Sequence, residues 1–245
     1  WMATDAAVSR GLARLRRWDF ATANPFILRL LETHSSGTAS AEEVARCLQI
    51  IESFAVRRAV CAVPTNQLKR IFLSIAKEMP STDIPNWLAQ TLVAGSSGRR
   101  WPKDDEFKQA LSRYRAYSPP IDRCRFLLEN IEEQFGHKEA VSFDDVTIEH
   151  VMPQTLSAEW IAMLGNSATV VHETWLDLLG NLTLTGYNSE LSNDPFPIKR
   201  KLLRESHFEL NRWIADREQW TSKELEERTE ELFYKAIKIW ERPHD

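Results

Sequence analysis

The run Val141-Ser-Phe-Asp-Asp-Val-Thr-Ile-Glu-His-Val151 constrains the fold more than any other stretch of the chain. It alternates polar with apolar residues and is β-branched at Val146, Thr147 and Ile148, which predicts a short strand over 146–149. Pro153 supports an end there, because it donates no ladder bond and holds Met152 extended. Asn181-Leu-Thr-Leu-Thr185 predicts a second short strand, and Gly186 a tight turn after it. Nearly all the remaining sequence has helical character. Ser40-Ala-Glu-Glu43 is a capping-box pattern, and Val44, Leu48, Ile51, Phe54 and Ala55 follow at three- and four-residue spacing. Further helices are expected over 65–79, 84–93, 107–114, 121–135, 158–164, 172–179, 188–192, 195–205, 208–217 and 222–240. Gly165 and Gly180 are read as left-handed helix ends.

The expected architecture is therefore mainly α, a helical domain enclosing a small strand–strand–helix island. The domain reading is a helical part over 1–140, a core over 141–205 with a helical insertion at 157–179, and C-terminal helices over 206–245 that pack on the core. The length suits one large domain or two small ones. Apolar residues are 43% and charged residues 27%, the balance of an ordinary globular chain. No stretch approaches the ~18 uninterrupted apolar residues of a membrane span. Residues 1–5 carry no basic start followed by an apolar run, so no signal peptide is expected, and the opening Trp1 suggests a piece of a longer protein. Three cysteines, Cys47, Cys61 and Cys124, share no CxxC spacing. They are expected as small buried hydrophobes in a cytoplasmic protein rather than as a zinc site or disulfide framework.

The net charge of −4 argues weakly against a surface that coats nucleic acid as a whole. Local clusters matter more: Arg10, Arg14, Arg16 and Arg17 form one, and Lys199, Arg200, Lys201 and Arg204 another. The second cluster is read either as DNA-backbone contacts or as a solvated helix face. Arg57 and Arg58 are read as phosphate contacts or as a buried ion pair with Glu52 or another acid. The nine tryptophans read as core anchors, with Trp160, Trp175 and Trp213 around the island.

Glu149 and His150 stand side by side at the end of the first predicted strand. Neighbours on a regular strand point to opposite faces, so the two can serve one site only where the strand ends. A histidine beside a carboxylate can be a general base, a metal ligand or neither. Asn181 and Asn188 bracket the second strand. Together these groups suit phosphodiester hydrolysis, which needs an activated water, a cation to neutralise phosphate charge, and a group that orients the base. Imidazole suits the first task. Mg²⁺ needs only one or two protein oxygens, so a Glu carboxylate and an Asn amide oxygen are enough.

The order His150, Asn181, Asn188 on strand, strand and helix resembles the HNH, or ββα-metal, nuclease motif. Ile148-Glu-His-Val-Met-Pro-Gln154 and Gly180-Asn-Leu-Thr-Leu-Thr-Gly-Tyr-Asn-Ser-Glu-Leu-Ser-Asn-Asp-Pro-Phe196 are similar to the C-terminal nuclease domain of GmrSD-type modification-dependent (type IV) restriction enzymes. The similarity extends to Ile51-Glu-Ser-Phe-Ala-Val-Arg-Arg58, Pro64-Thr-Asn-Gln-Leu68, Lys199 to Asn211, and Ile239-Trp240. The resemblance implies a DNA endonuclease of restriction or anti-phage defence, acting on double-stranded DNA with Mg²⁺ or Mn²⁺. In it His150 activates the water, Asn181 braces the loop that orients His150, and Glu149 and Asn188 bind the metal, with Asn193 a second candidate for the last position. The chain departs from the motif in carrying Asn rather than His at that position, and in the long gap between His150 and Asn181. The resemblance also implies an N-terminal, nucleotide-hydrolysing partner domain in the same protein; no GxxxxGK[ST] phosphate loop occurs here. Whether the protein forms oligomers is left open. The alternative is a catalytically weak DNA-binding or interdomain regulatory module.

Overall fold

The structure, a computed structural model, describes residues 6–139, 141–186 and 191–243. The chain divides into two compact units, one of residues 1–110 with 240–245, the other of residues 111–239.

The first unit is helical among its described residues: α1 (Ala6–Arg17), α2 (Asn24–Ser35), α3 (Ala41–Val60), α4 (Leu68–Glu78), α5 (Ile84–Val93) and α6 (Asp104–Leu111). Helix α3 is the axis against which α1 and α5 pack, while α4 packs on α2. The capping box forms as the sequence predicts: the Ser40 hydroxyl accepts from the Glu43 amide at 3.1 Å, and the Ser40 amide donates to the Glu43 carboxylate at 2.8 Å. The apolar stripe of α3 is fully buried, with Phe54 edge-on to Phe72 and Trp101. Arg57 and Arg58 also lie inside. Arg57 pairs with Asp104 at 2.7 Å and donates to the carbonyls of Trp240 and Pro102. Arg58 donates to the carbonyls of Arg100, Pro64 and Gly98. The buried-pair reading therefore holds for Arg57, but with Asp104; Glu52 is taken by Arg14 at 2.6 Å and by the Trp240 indole at 2.8 Å.

The second unit holds α7 (Asp122–Glu133), β1 (Thr147–His150), α8 (Ala158–Leu164), α9 (Ala168–Trp175), β2 (Leu182–Thr185), α10 (Phe196–Arg204), α11 (Glu209–Ala215) and α12 (Ser222–Ile239). The strands pair antiparallel, with Thr147 opposite Thr185 and His150 opposite Leu182. Both lie one residue later than expected at their starts, so His150 belongs to the strand and Asn181 precedes it in a 3-10 turn (Leu179–Asn181). The reason is tertiary pairing: the last rung joins His150 to Leu182, and the Val151 amide then closes on the Asn181 carbonyl at 2.9 Å. The expected helix over 188–192 falls largely outside the described residues, so the sequence's ββα island appears here as a two-stranded sheet in a helical unit. Below it, Trp160, Phe196, Trp220, Leu203, Ile214 and Leu225 form one buried cluster with Val151 and Met152. Asn211, fully buried, ties α11 to β2 by accepting from the Thr183 hydroxyl and donating to the Leu184 carbonyl.

The two glycine expectations part ways. Gly165 adopts the expected positive φ at the end of α8, but its ψ of −148° lies outside the left-handed helical region. Gly180 has no positive φ. It sits in the turn before β2 because α12 approaches its backbone: a Cβ there would overlap the Thr229 hydroxyl and stand 3.0 Å from the Leu225 carbonyl oxygen. Thr229 cannot turn away without breaking its own hydrogen bond to that carbonyl at 2.8 Å. Gly180→Ala should therefore cost about 1–3 kcal/mol as an overpacked contact, read as a lower denaturant midpoint in chemical unfolding. An unchanged midpoint would mean α12 yields freely. No helix among the described residues is long and apolar enough to cross a membrane.

Candidate active site

Asn181 is the residue on which the site is built. It is fully buried, and its amide makes four hydrogen bonds. Oδ1 accepts from the Met152 amide at 2.8 Å and the Trp220 indole at 3.2 Å. Nδ2 donates to the Met152 and Leu176 carbonyls, both at 3.0 Å. A side-chain amide has two donor hydrogens and an oxygen with two lone pairs, so every capacity is used. The chain just after His150 is thus clamped twice at one residue, Met152.

His150 is buried beside this clamp. The Tyr117 ring meets it edge-on, 4.4 Å between centroids. Nε2 has no hydrogen-bond partner and lies 3.6 Å from Asp177 Oδ1, just beyond hydrogen-bonding length. Burial pushes the imidazole below its usual pKa, against the raising effect of Asp177, and Lys199 and His172 push it down further. His172 is itself held, with Nε2 2.9 Å from the Pro153 carbonyl oxygen.

Glu149 leaves the strand in another direction. Its Oε1 is 2.5 Å from Lys199 Nζ, which also donates to the His150 carbonyl at 2.8 Å. Lys199 is fully buried and Glu149 nearly so. Burial raises the Glu149 pKa and lowers that of Lys199; each partner opposes that shift in the other. Lys199 therefore does not stand with the surface cations its sequence neighbours suggest. It occupies the inner face of α10, in line with Phe196 and Leu203. Arg200 and Arg204 both donate to the Ala215 carbonyl, at 2.8 and 2.9 Å, closing the C-terminus of α11. Lys201 is exposed.

As a cation site, Glu149 offers the hard oxygen donors that Mg²⁺ prefers, and it already holds one positive group, the Lys199 ammonium. The donor chemistry suits a hard cation, which would share the carboxylate with Lys199. Asn188, the other expected ligand, lies outside the described residues; Asn193 is exposed. Among the described residues no group of three or more His, Cys, Asp or Glu side chains could hold a metal ion. The residue that sequence reasoning missed is Asp177, which no motif marks and which reaches His150 only through the fold.

Residues 101–235 match the family described as the C-terminal domain of GmrSD restriction endonucleases, and the chain belongs to that family. The match spans more than half of the chain and includes β1, β2, Asn181, Lys199 and Asp177. The similar stretches at 51–58, 64–68 and 239–240 lie outside it. A search among curated proteins returns no match. The family is one of restriction endonucleases, so nuclease activity in general and DNA as its substrate follow from membership.

Proposed function

We propose that this chain is the DNA-cutting part of a restriction endonuclease of anti-phage defence, with His150 as the general base. The observation that carries this reading is the Asn181 clamp at Met152, which fixes the main chain beside a buried imidazole. A base acts only from a fixed position, and a misplacement of about 1 Å can cost ~10²-fold in rate. Neutral His150 takes the proton of a water, and the resulting hydroxide bonds to the scissile phosphorus as the P–O bond to one sugar breaks; the departing sugar oxygen takes a proton from solvent. Glu149 and Asn188 would hold Mg²⁺ or Mn²⁺, which when bound neutralises charge on the phosphate. Arg200, Lys201 and Arg204 meet the DNA backbone in this reading. Lys199 instead neutralises Glu149 and seats the His150 carbonyl.

Plasmid nicking with Mg²⁺, with and without EDTA, tests the proposal. His150→Ala should lose about 10²–10⁴-fold in rate, the usual contribution of a general base. Metal-dependent cutting at the wild-type rate in that variant would sink the assignment. The pH profile has a definite sign. Imidazolium accepts no proton, so the rate should rise with pH through the His150 pKa and then level. Because burial lowers that pKa, the plateau should begin at lower pH than an ordinary imidazole would give.

A further inference from the structure

The ring of His150 has neighbours, Tyr117 and Asp177, that are not partners of the Asn181 clamp. Its Nε2 is buried without a hydrogen-bond partner and faces Asp177 Oδ1 at 3.6 Å. The other oxygen of Asp177, Oδ2, accepts from Arg115 Nη2 at 2.8 Å. The backbones agree: the Tyr117 amide donates to the Asp177 carbonyl at 3.1 Å, and Arg115 forms an antiparallel bridge with Leu178. One short segment, 115–117, therefore supplies both the ring against His150 and the cation on Asp177.

We propose that Asp177 is a positioning residue that selects the tautomer of His150, and that Arg115 fixes the polarity of Asp177. The inference rests on His150 being the base. An ionised carboxylate only accepts hydrogen bonds, so Asp177 favours the proton on Nε2. The lone pair is then on Nδ1, and Nδ1 is the atom that takes the proton from water. Catalytic hydrogen bonds are often long in the free protein and tighten when substrate binds, so a 3.6 Å approach suits this role. A carboxylate behind a working histidine sets its tautomer and orientation in other sites as well.

Arg115 gives the proposal a sign that a packing role would not have. Guanidinium only donates. In Asp177→Asn the amide oxygen must therefore face Arg115, and the amide NH₂ must face His150 Nε2. That arrangement puts the lone pair on Nε2 and the proton on Nδ1, the wrong tautomer. Asp177→Asn should be worse than Asp177→Ala, although asparagine is the closer mimic in shape. Removing Arg115 in the Asn variant frees the amide to flip and should restore activity.

The test uses the full chain with ¹⁵N-labelled histidine, His150 being assigned by its loss in His150→Ala. The tautomer is read by ¹⁵N NMR where the ring is neutral, and kcat and KM by Mg²⁺-dependent DNA cutting. The wild type should show the Nε2–H form. Asp177→Ala should show a mixture and lose about 10–100-fold in kcat at unchanged KM. Asp177→Asn should show the Nδ1–H form and a larger loss, toward the ~10⁴-fold that a wrong tautomer costs in a serine-protease triad. Arg115→Ala/Asp177→Asn should recover part of that loss. A wild-type His150 in the Nδ1–H form, or an Asp177→Asn variant no worse than Asp177→Ala, overturns the proposal. The tautomer is measured independently of cutting, so an active His150→Ala protein would defeat the base assignment while leaving the Asp177 contact to its own result.

Discussion

Lys199→Ala should lower the free energy of unfolding by about 3–5 kcal/mol, the usual cost of leaving one partner of a buried ion pair alone. Lys199 is fully buried and Glu149 5% exposed, so water cannot replace the lost ammonium. The His150 carbonyl loses its donor in the same step. The cost should depend on pH in a definite direction. Glu149 already has a raised pKa from burial, and losing Lys199 raises it further. At a pH low enough to protonate the carboxyl in both folded and unfolded chains, no charge is buried and the penalty is small. It grows as the pH rises from the ordinary carboxylate range towards the folded pKa, because only the unfolded chain can then ionise freely. Glu149→Gln/Lys199→Met should be far milder than the sum of the two single changes, since neither partner leaves a charge behind. Urea unfolding followed by tryptophan fluorescence at two pH values reads all of this. A loss under ~1 kcal/mol, the range of an exposed pair, would show that the pair is not buried in solution.

Lys199 also marks how much of the site was legible beforehand. Its neighbours Arg200 and Lys201 suggest a basic patch, and charge alone groups the three. The helical spacing Phe196, Lys199, Leu203 places it on the buried face instead, and that signal was present in the sequence. Helix α5 matches its expected ends, and the Ser40–Glu43 box forms as read, because spacing, caps and breakers act within a few residues. Gly180 could not be read this way. Its need to be small comes from Thr229 and Leu225, far along the chain. Asp177 is the same kind of case: α8, α9 and their connections lie between it and β1, and no local rule says which acid the fold returns to His150. Arg57 was ambiguous for a related reason, since its partner Asp104 belongs to another helix. Local chemistry was legible; partners brought by topology were not.

Asn181→Asp should separate the two jobs of the central clamp, holding the chain and filling the space. Aspartate has the shape of asparagine but, ionised, donates nothing. The Met152 and Leu176 carbonyls, each 3.0 Å from Asn181 Nδ2, would face carboxylate oxygen instead of a donor. The Met152 amide and the Trp220 indole would keep an acceptor. Each buried polar group left unpaired costs about 1–3 kcal/mol, and a charge enters a site that is fully buried. The variant should therefore lose several kcal/mol of stability, or take up a proton to avoid the charge. Its catalytic loss should exceed its binding loss. Residues 150–153 no longer have both the amide and the carbonyl of Met152 held, so His150 wanders, while Arg200, Lys201 and Arg204, the proposed DNA contacts, are untouched. A fall of about 10²-fold in kcat with KM within a few-fold is the expected pattern. Hydrogen exchange gives a readout without DNA: the Met152 amide should remain slow in Asn181→Asp, which keeps its acceptor, and become fast in Asn181→Ala, which does not. Equal exchange in both variants, or wild-type cutting by either, would mean that β1 alone fixes His150. In that case the pairing of His150 with Leu182 in the last rung of the sheet, and not the asparagine, would be what holds the base.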